Sequence, residues 1–350
     1  MDNAAAPENA GEFHFSIHGT RIKYSTASPL LAAPVIHLLH CFRCDASQYP
    51  VNFAVRFNEV SCRREIPIAV DSSSERLFSR TGTTVGDRLR AAWQCDVVRQ
   101  EGWLIIDCHE EGLVAIEDRT GETKGYVVRP DEMPSAVIEW FFHLTLTELM
   151  KRRGLYTLHA TALEKDGLGI LIPGNSGQGK TTAFLSLLRA GYRYLSDDHP
   201  FIRQGESELE LLPFPMKIDV TEQTIALFPE LQAADPAVFH PGFIKRYFHV
   251  RDIYPSSPGI SCRPAMIVFP QIVDAASSRL ELLSKREALA ALLPQGMVVY
   301  DHEVARKEFD VLAALVRQAD CYVLHFGRDI LELPHLIEPF LNPTNLPSSH

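Results

Sequence analysis

Along residues 12–18 the side chains alternate, with Phe13, Phe15 and Ile17 apolar and His14, Ser16 and His18 polar. A period of two is that of a strand with one face buried. Short apolar runs follow at 97–98, 103–108 and 113–117, separated by the turn-like pairs Glu101-Gly102 and Glu111-Gly112. A polar, glycine-bearing stretch at 119–125 then precedes the apolar run 126–128. This reads as an antiparallel meander, so residues 12–132 are expected to form a β-rich α+β domain.

The period changes over 133–154. Val137, Ile138, Phe141, Phe142, Leu144, Leu146 and Leu149 recur at helical spacing, with Pro134 near the start and Gly154 at the stop. A connecting helix is expected there. Beyond it, 156–163 and 169–173 read as strands, 182–190 as a helix ended by Gly191, and 192–195 as a short strand. Residues 265–270 read as a buried strand, 285–293 and 304–318 as helices, and 321–326 as a last strand. Residues 155–341 are therefore expected to be an α/β domain around a central sheet. The ends, 1–11 and 342–350, are rich in small and polar residues and are expected to be loose.

The strongest chemical signal lies between the second and third of those elements. Gly174, Asn175, Ser176, Gly177, Gln178, Gly179, Lys180 and Thr181 fit the phosphate-loop pattern G-x-x-x-x-G-K-[ST] without a gap, and Thr182 follows. Glycines let the backbone curl until successive N–H groups point inward, forming an anion nest at a helix N-terminus. Lys180 can reach the β- and γ-phosphates of ATP, and the Thr181 hydroxyl can bind Mg2+. An apolar strand before the loop and an amphipathic helix after it supply the context that the pattern requires.

Asp197 and Asp198 stand at the end of the next strand, 17 and 18 residues after Lys180. A carboxylate there can bind magnesium, and a second can take the proton of an attacking hydroxyl. Adjacent acids on an extended segment point to opposite sides, so one of the two faces the loop. A Ser-Asp-Asp run can equally cap a turn; the phosphate loop upstream favours the chemical reading.

At this point the chain resembles a known family. The stretch LHATALEKDGLGILIPGNSGQGKTTAFLSLLRAGYRYLSDD, residues 158–198, is similar to the core of the bacterial HPr serine kinase/phosphorylase family and its HPr-kinase-related relatives. It places a histidine, His159, 21 residues before Lys180, then the loop, a helix and paired aspartates. RPAMIVFPQ followed by LELLSKREALAALLP also resembles the later part of the related kinases. The resemblance extends roughly over 155–340. It implies a P-loop kinase domain whose central sheet resembles the HPr kinase and phosphoenolpyruvate carboxykinase nucleotide domains. It also implies Asp197 as the base and Asp198 as the magnesium partner, or the two exchanged, with His159 supporting the acid pair. Alone, His159 would be read as an ordinary strand histidine.

The departures bear on the substrate. Lys180-Thr181-Thr182 stands where the HPr-specific enzymes have a Lys-Ser-Glu type continuation. Their second signature is absent, and residues 240–251, HPGFIKRYFHVR, occupy its place. HPr itself is not supported as the acceptor. Related kinases that occur with peptide-modification gene clusters fit better, with serine of a peptide or small protein as acceptor. Among the basic residues Lys217, Lys245, Arg246 and Arg251, Lys217 and Arg246 are the candidates to clamp the transferred group. Residues 255–258 read as a loop over the site or as a turn. A nucleotide-sensing module with little turnover, or a small-molecule kinase, are the rival readings. Hexamers occur in the resembled family, which leaves a homo-oligomer open.

Charge and cysteine usage narrow the setting. With 34 basic against 44 acidic side chains the net charge is -10, which gives no general attraction for nucleic acid or anionic lipid. No apolar run approaches a membrane span, and the first residues lack the pattern of a signal peptide. Seven scattered cysteines do not form a disulfide framework, so a cytoplasmic protein is expected. His37, His40, Cys41 and Cys44 would share one face of a helix, the arrangement of a metal site. No second ligand pair accompanies them, and packed thiols and histidines are the preferred reading.

Overall fold

The structure is a computed structural model that describes residues 11–46, 50–71, 74–83, 92–133, 135–175, 177–233, 235–240, 243–255, 258–296 and 301–341. Of the expected loose ends, 1–10 and 342–350 lie outside these residues, as do Pro134, Ser176 of the glycine loop, the apolar run 297–300 and the centre of the 255–258 segment; Gly11, expected to be loose, begins a strand. So does the Lys245 side chain. The chain divides into two compact units, Met1–Arg153 and Gly154–His350. Both combine helices with sizeable sheets, a mixed α/β protein.

The first unit contains β1 (Gly11–Ile17), β2 (Thr20–Thr26), α1 (Pro29–Leu39), β3 (Phe53–Val60), β4 (Glu75–Thr83), β5 (Ala92–Gln100), β6 (Trp103–Asp107), β7 (Gly112–Glu117), β8 (Thr123–Val128) and α2 (Ser135–Lys151). Its strands form one sheet in the order β1-β2-β3-β8-β7-β6-β5-β4. The expected meander is present from β5 to β8. The whole sheet is nevertheless mixed, because β3 runs parallel to both β2 and β8. Alternation in β1 works as read, with Phe13, Phe15 and Ile17 buried. Tyr24, Phe57 and Phe142 of α2 meet edge to face, with ring centroids 5.3–6.0 Å apart. Edge-to-face packing suits the ring quadrupoles and holds α2 on the sheet.

Helix α1 does not carry His37, His40, Cys41 and Cys44 on one face. It ends at Leu39, His40–Phe42 form a 3-10 turn, and Cys44 lies beyond both in no regular element, its N–H donating to the His14 carbonyl at 2.9 Å. Among the described residues no group of three or more His, Cys, Asp and Glu is placed to hold a metal.

The second unit opens with β9 (Leu155–Thr157), β10 (Ala160–Lys165), β11 (Leu168–Pro173), α3 (Lys180–Arg189), β12 (Arg193–Ser196), β13 (Phe201–Gln204) and β14 (Leu209–Leu212). It continues with β15 (Ile218–Val220), α4 (Glu222–Leu227), β16 (Asp235–His240), β17 (Phe243–Phe248), α5 (Val250–Ile253) and β18 (Arg263–Ile272). It ends with β19 (Arg279–Leu282), α6 (Lys285–Leu292), α7 (His302–Gln318), β20 (Asp320–Phe326) and α8 (Leu333–Leu341). The central sheet has the order β12-β10-β11-β18-β20-β19, with smaller sheets β14-β13-β9 and β15-β17-β16.

Strands β11 and β18 read as unbroken apolar runs because both of their faces are buried. Ile170, Ile172, Met266 and Val268 face the cluster that holds Ala183, Phe184 and Leu187 of α3. Leu171 and Ile267 face the cluster holding Leu292 of α6 and Leu312 and Leu315 of α7. Asp166 and Gly167 join β10 to β11, both with positive φ (52° and 80°), as a tight hairpin of this twist requires.

One expected strand is divided. Residues 156–163 split at Leu158 and His159 into β9, in a small sheet, and β10, in the central one. His159 therefore stands on the bend between two sheets, not within a strand. No described helix is long and apolar enough to cross a membrane.

Candidate active site

Three chain segments reach the same edge of the central sheet. β11 and β12 both run antiparallel to β10, which lies between them. The carboxyl ends of β11 and β12 therefore flank the amino end of β10. The glycine loop follows β11, the two aspartates follow β12, and His159 immediately precedes β10. Strand polarity thus brings together groups that are 21 and 18 residues apart in sequence.

The loop needs its glycines for different reasons. Gly177 and Gly179 hold φ of +83° and +91°, left-handed values that side-chain-bearing residues resist. A Cβ on Gly179 would also stand 3.1 Å from the Phe326 ring. The Asn175 N–H donates to Gln178 Oε1 at 2.6 Å, so the loop is braced from within. Lys180 opens α3 and is only 9% exposed. Its Nζ donates to the Gly174 carbonyl at 2.6 Å, which curls the side chain back over the loop. Burial pulls its pKa down, while Asp198 and Asp197 work to keep it charged. Thr181 and Thr182, in the first turn of α3, are half-buried.

Asp198 sits between two imidazoles. Its Oδ1 is 2.9 Å from His159 Nε2, and its Oδ2 is 3.5 Å from His199 Nε2. The rings of His159 and His199 lie 6.1 Å apart, inclined by 35°. A neutral His159 that donates through Nε2 to Asp198 cannot also accept there. Lys180 Nζ, at 3.4 Å from that nitrogen, is then an electrostatic neighbour. The main chain pins the segment too, since Ala160 N–H donates to the Asp198 carbonyl at 3.0 Å. Asp197 is held by Thr161, whose hydroxyl lies 2.7 Å from the Asp197 carbonyl and 3.2 Å from Oδ1.

The environments push the two carboxyl groups apart. Burial, then the neighbouring Asp198 charge, raise Asp197 to about 7. Burial works in the same direction on Asp198, but His199, His159 and Lys180 overcome it and hold that carboxyl well below its usual range. Its side chain keeps 46% exposure, open to an arriving cation. Burial lowers His199. Such a split assigns different chemistry to neighbouring acids: one accepts a proton near neutral pH, the other stays an anion. The Asp198 carboxylate and the Thr181 hydroxyl are hard oxygen donors of the kind magnesium takes together with phosphate oxygens and water. The donor set fits that ion.

The remaining sequence candidates belong to the same unit, and Lys217 and Arg246 have partners of their own. Lys217 Nζ stands 5.2 Å from the Tyr247 ring centroid, just before β15. Arg246, on β17, pairs with Glu222 at 3.0 Å and donates to the Gln232 carbonyl at 3.1 Å. Arg251 is exposed on α5. Sequence reasoning passed over Thr161, His199 and Gln295, whose carbonyl accepts from the His159 N–H at 2.7 Å. Thr161 two residues after His159, and His199 directly after the acid pair, were signals available in the text.

Comparison with known proteins bears on this arrangement. No family model matches the chain. Over 56 residues it is 43% identical to the HPr kinase/phosphorylase of Listeria welshimeri serovar 6b, covering 16% of this chain and 18% of that protein. Over 52 residues it is 40% identical to the HPr kinase/phosphorylase of Clostridium botulinum strain Eklund 17B, covering 15% and 17%. Over that segment the chain is HPr-kinase-related. The match spans under a fifth of the length of these relatives. The Hpr(Ser) kinase/phosphatase from Coxiella burnetii aligns in structure over 54% of this chain and 95% of its own, at 15% identity and a TM-score of 0.27.

Proposed function

We propose that the second unit is an ATP- and magnesium-dependent kinase that transfers the γ-phosphoryl group to a hydroxyl, serine of a peptide or small protein. The observation that carries this reading is the convergence of Lys180, at the end of a glycine loop, with an acid pair whose members are pushed in opposite directions. In this reading Lys180 and the loop amides hold the phosphates. Thr181 and Asp198 hold magnesium, which would neutralise charge on the transferred group. Asp197 takes the acceptor proton, its pKa near 7 suiting a base that works at neutral pH. His159 fixes the orientation of Asp198 from the outside, as a carboxylate's hydrogen-bond partner does at metal sites.

The test is transfer from γ-labelled ATP with magnesium to a library of serine-, threonine- and tyrosine-bearing peptides. Label on a peptide hydroxyl is expected with the wild type. In Asp197→Asn it should fall by about 100-fold or more, with nucleotide affinity retained. Lys180→Ala should instead weaken ATP binding itself by about 10–100-fold. Transfer that survives either substitution intact would overturn the corresponding role.

A further inference from the structure

Gln295 stands where the glycine loop and the histidine–aspartate arm meet. It closes a 3-10 turn, Leu293–Gln295, directly after α6, and only 7% of it is exposed. Its carbonyl accepts the His159 N–H at 2.7 Å, and Gly296 forms a bridge with Leu158 on the other side of the bend. Its Nε2 donates to Asn175 Oδ1 of the loop at 3.4 Å. Main chain and side chain of one residue thus hold the bend that carries His159, the partner of Asp198, and the loop that leads to Lys180.

The side chain is incompletely satisfied. Gln295 Oε1 is buried and has no hydrogen-bond partner among the described residues. Gln318, at the end of α7, shows the contrasting case of a glutamine used to brace the fold. Its Oε1 accepts from Leu209 N–H at 2.8 Å, and its Nε2 donates to the Leu209 carbonyl at 3.1 Å. Buried amides are normally paired at both ends, and an orphan marks a place that a ligand or a functional constraint accounts for.

We infer that Gln295 is a positioning residue of the nucleotide site, setting the glycine loop through Asn175, an inference that rests on the reading of this unit as a nucleotide-binding kinase. The backbone contact to His159 is independent of the side chain. Substituting the side chain therefore disturbs the phosphate-holding loop and leaves the His159–Asp198 pair in place. The orphan oxygen completes its shell with a hydrogen-bond donor that arrives with the magnesium nucleotide, a water or a hydroxyl or amino group rather than the phosphates, whose oxygens carry no proton to offer at neutral pH.

The experiment compares Gln295→Met, Gln295→Ala and Gln318→Met with the wild type in the full chain. It measures Mg·ATP affinity by calorimetry and the urea midpoint of each protein. Methionine keeps the length and bulk of glutamine while deleting its hydrogen bonds. Gln295→Met is expected to bind Mg·ATP about 10-fold more weakly, with a urea midpoint equal to or above that of the wild type. Gln295→Ala should match it in affinity. Gln318→Met should lose midpoint and keep affinity. Wild-type affinity in Gln295→Met would overturn the inference and leave the kinase reading standing. Absence of Mg·ATP binding in the wild type would overturn both.

Discussion

His159 Nε2 lies 2.9 Å from Asp198 Oδ1, a contact between the residue before β10 and the second residue after β12. Neither residue belongs to a strand, so the bend and the strand end must both be fixed for the pair to form. They are fixed by backbone bonds: His159 N–H to the Gln295 carbonyl at 2.7 Å, and Ala160 N–H to the Asp198 carbonyl at 3.0 Å. The pair leaves Asp198 ionised and aimed, which is what a cation-binding carboxylate needs.

Removing the imidazole should loosen that aim more than it disturbs nucleotide binding. In His159→Ala the magnesium concentration for half-maximal turnover is expected to rise about 10–100-fold, the usual effect of losing an outer partner of a metal ligand. Titration of turnover with magnesium at saturating ATP checks this. An unchanged magnesium dependence would remove His159 from its assigned role.

Asp197 gives a pH dependence that can be measured on the metal- and nucleotide-free protein. Its pKa in the folded chain is raised from 3.8 to about 7, burial being the main cause and the Asp198 charge the second. The protonated carboxyl therefore supports folding below the usual carboxylate range, and that support is lost as the pH climbs to about 7. Asp197→Asn, which cannot ionise, should gain stability relative to the wild type between about pH 5 and about pH 8, by roughly 1–3 kcal/mol. Urea unfolding at both pH values reads this difference. An equal effect at the two would mean that Asp197 titrates normally.

Gly179→Ala tests the loop backbone. The residue sits at φ +91°, and the added methyl would stand 3.1 Å from the Phe326 ring. A destabilisation of about 1–3 kcal/mol is expected from strain and crowding together, seen in a denaturant melt. A neutral effect would mean that the loop relaxes into another conformation.

The free cysteines offer a check on the packing of both units. Cys62 is exposed, whereas Cys95, Cys108, Cys262 and Cys321 are buried. Burial also pushes Cys262 and Cys321 up to about 12 and about 11. A thiol reagent at neutral pH should modify Cys62 rapidly and these four only after denaturation, because the reacting species is an accessible thiolate. Mass spectrometry of the labelled peptides assigns each site. Rapid labelling of Cys262 or Cys321 would contradict the burial of the central sheet.

Much of the local structure is written in the sequence because local rules decide it. Alternation in β1, unbroken apolar runs in β11 and β18, and the amphipathic pattern of α7 each follow from a single buried face or pair of faces. The glycine loop is legible for the same reason, since its φ values demand glycine at Gly177 and Gly179. Helix α1 escaped notice because its apolar residues surround Pro34 and leave little periodic contrast. Strand β3 gave no hint that it runs parallel to its neighbours, because parallel and antiparallel pairing bury the same side chains.

By itself, then, the sequence determined the loop, its lysine, the acid pair and the histidine, together with the kinds of element that carry them. Only the tertiary structure decided which acid the histidine holds. Two neighbouring aspartates are chemically identical until strand order and a bend at Leu158 place one between His159 and His199 and the other behind Thr161. Their pKa values diverge for that reason, since burial and neighbouring charge are properties of position in space rather than of spacing along the chain.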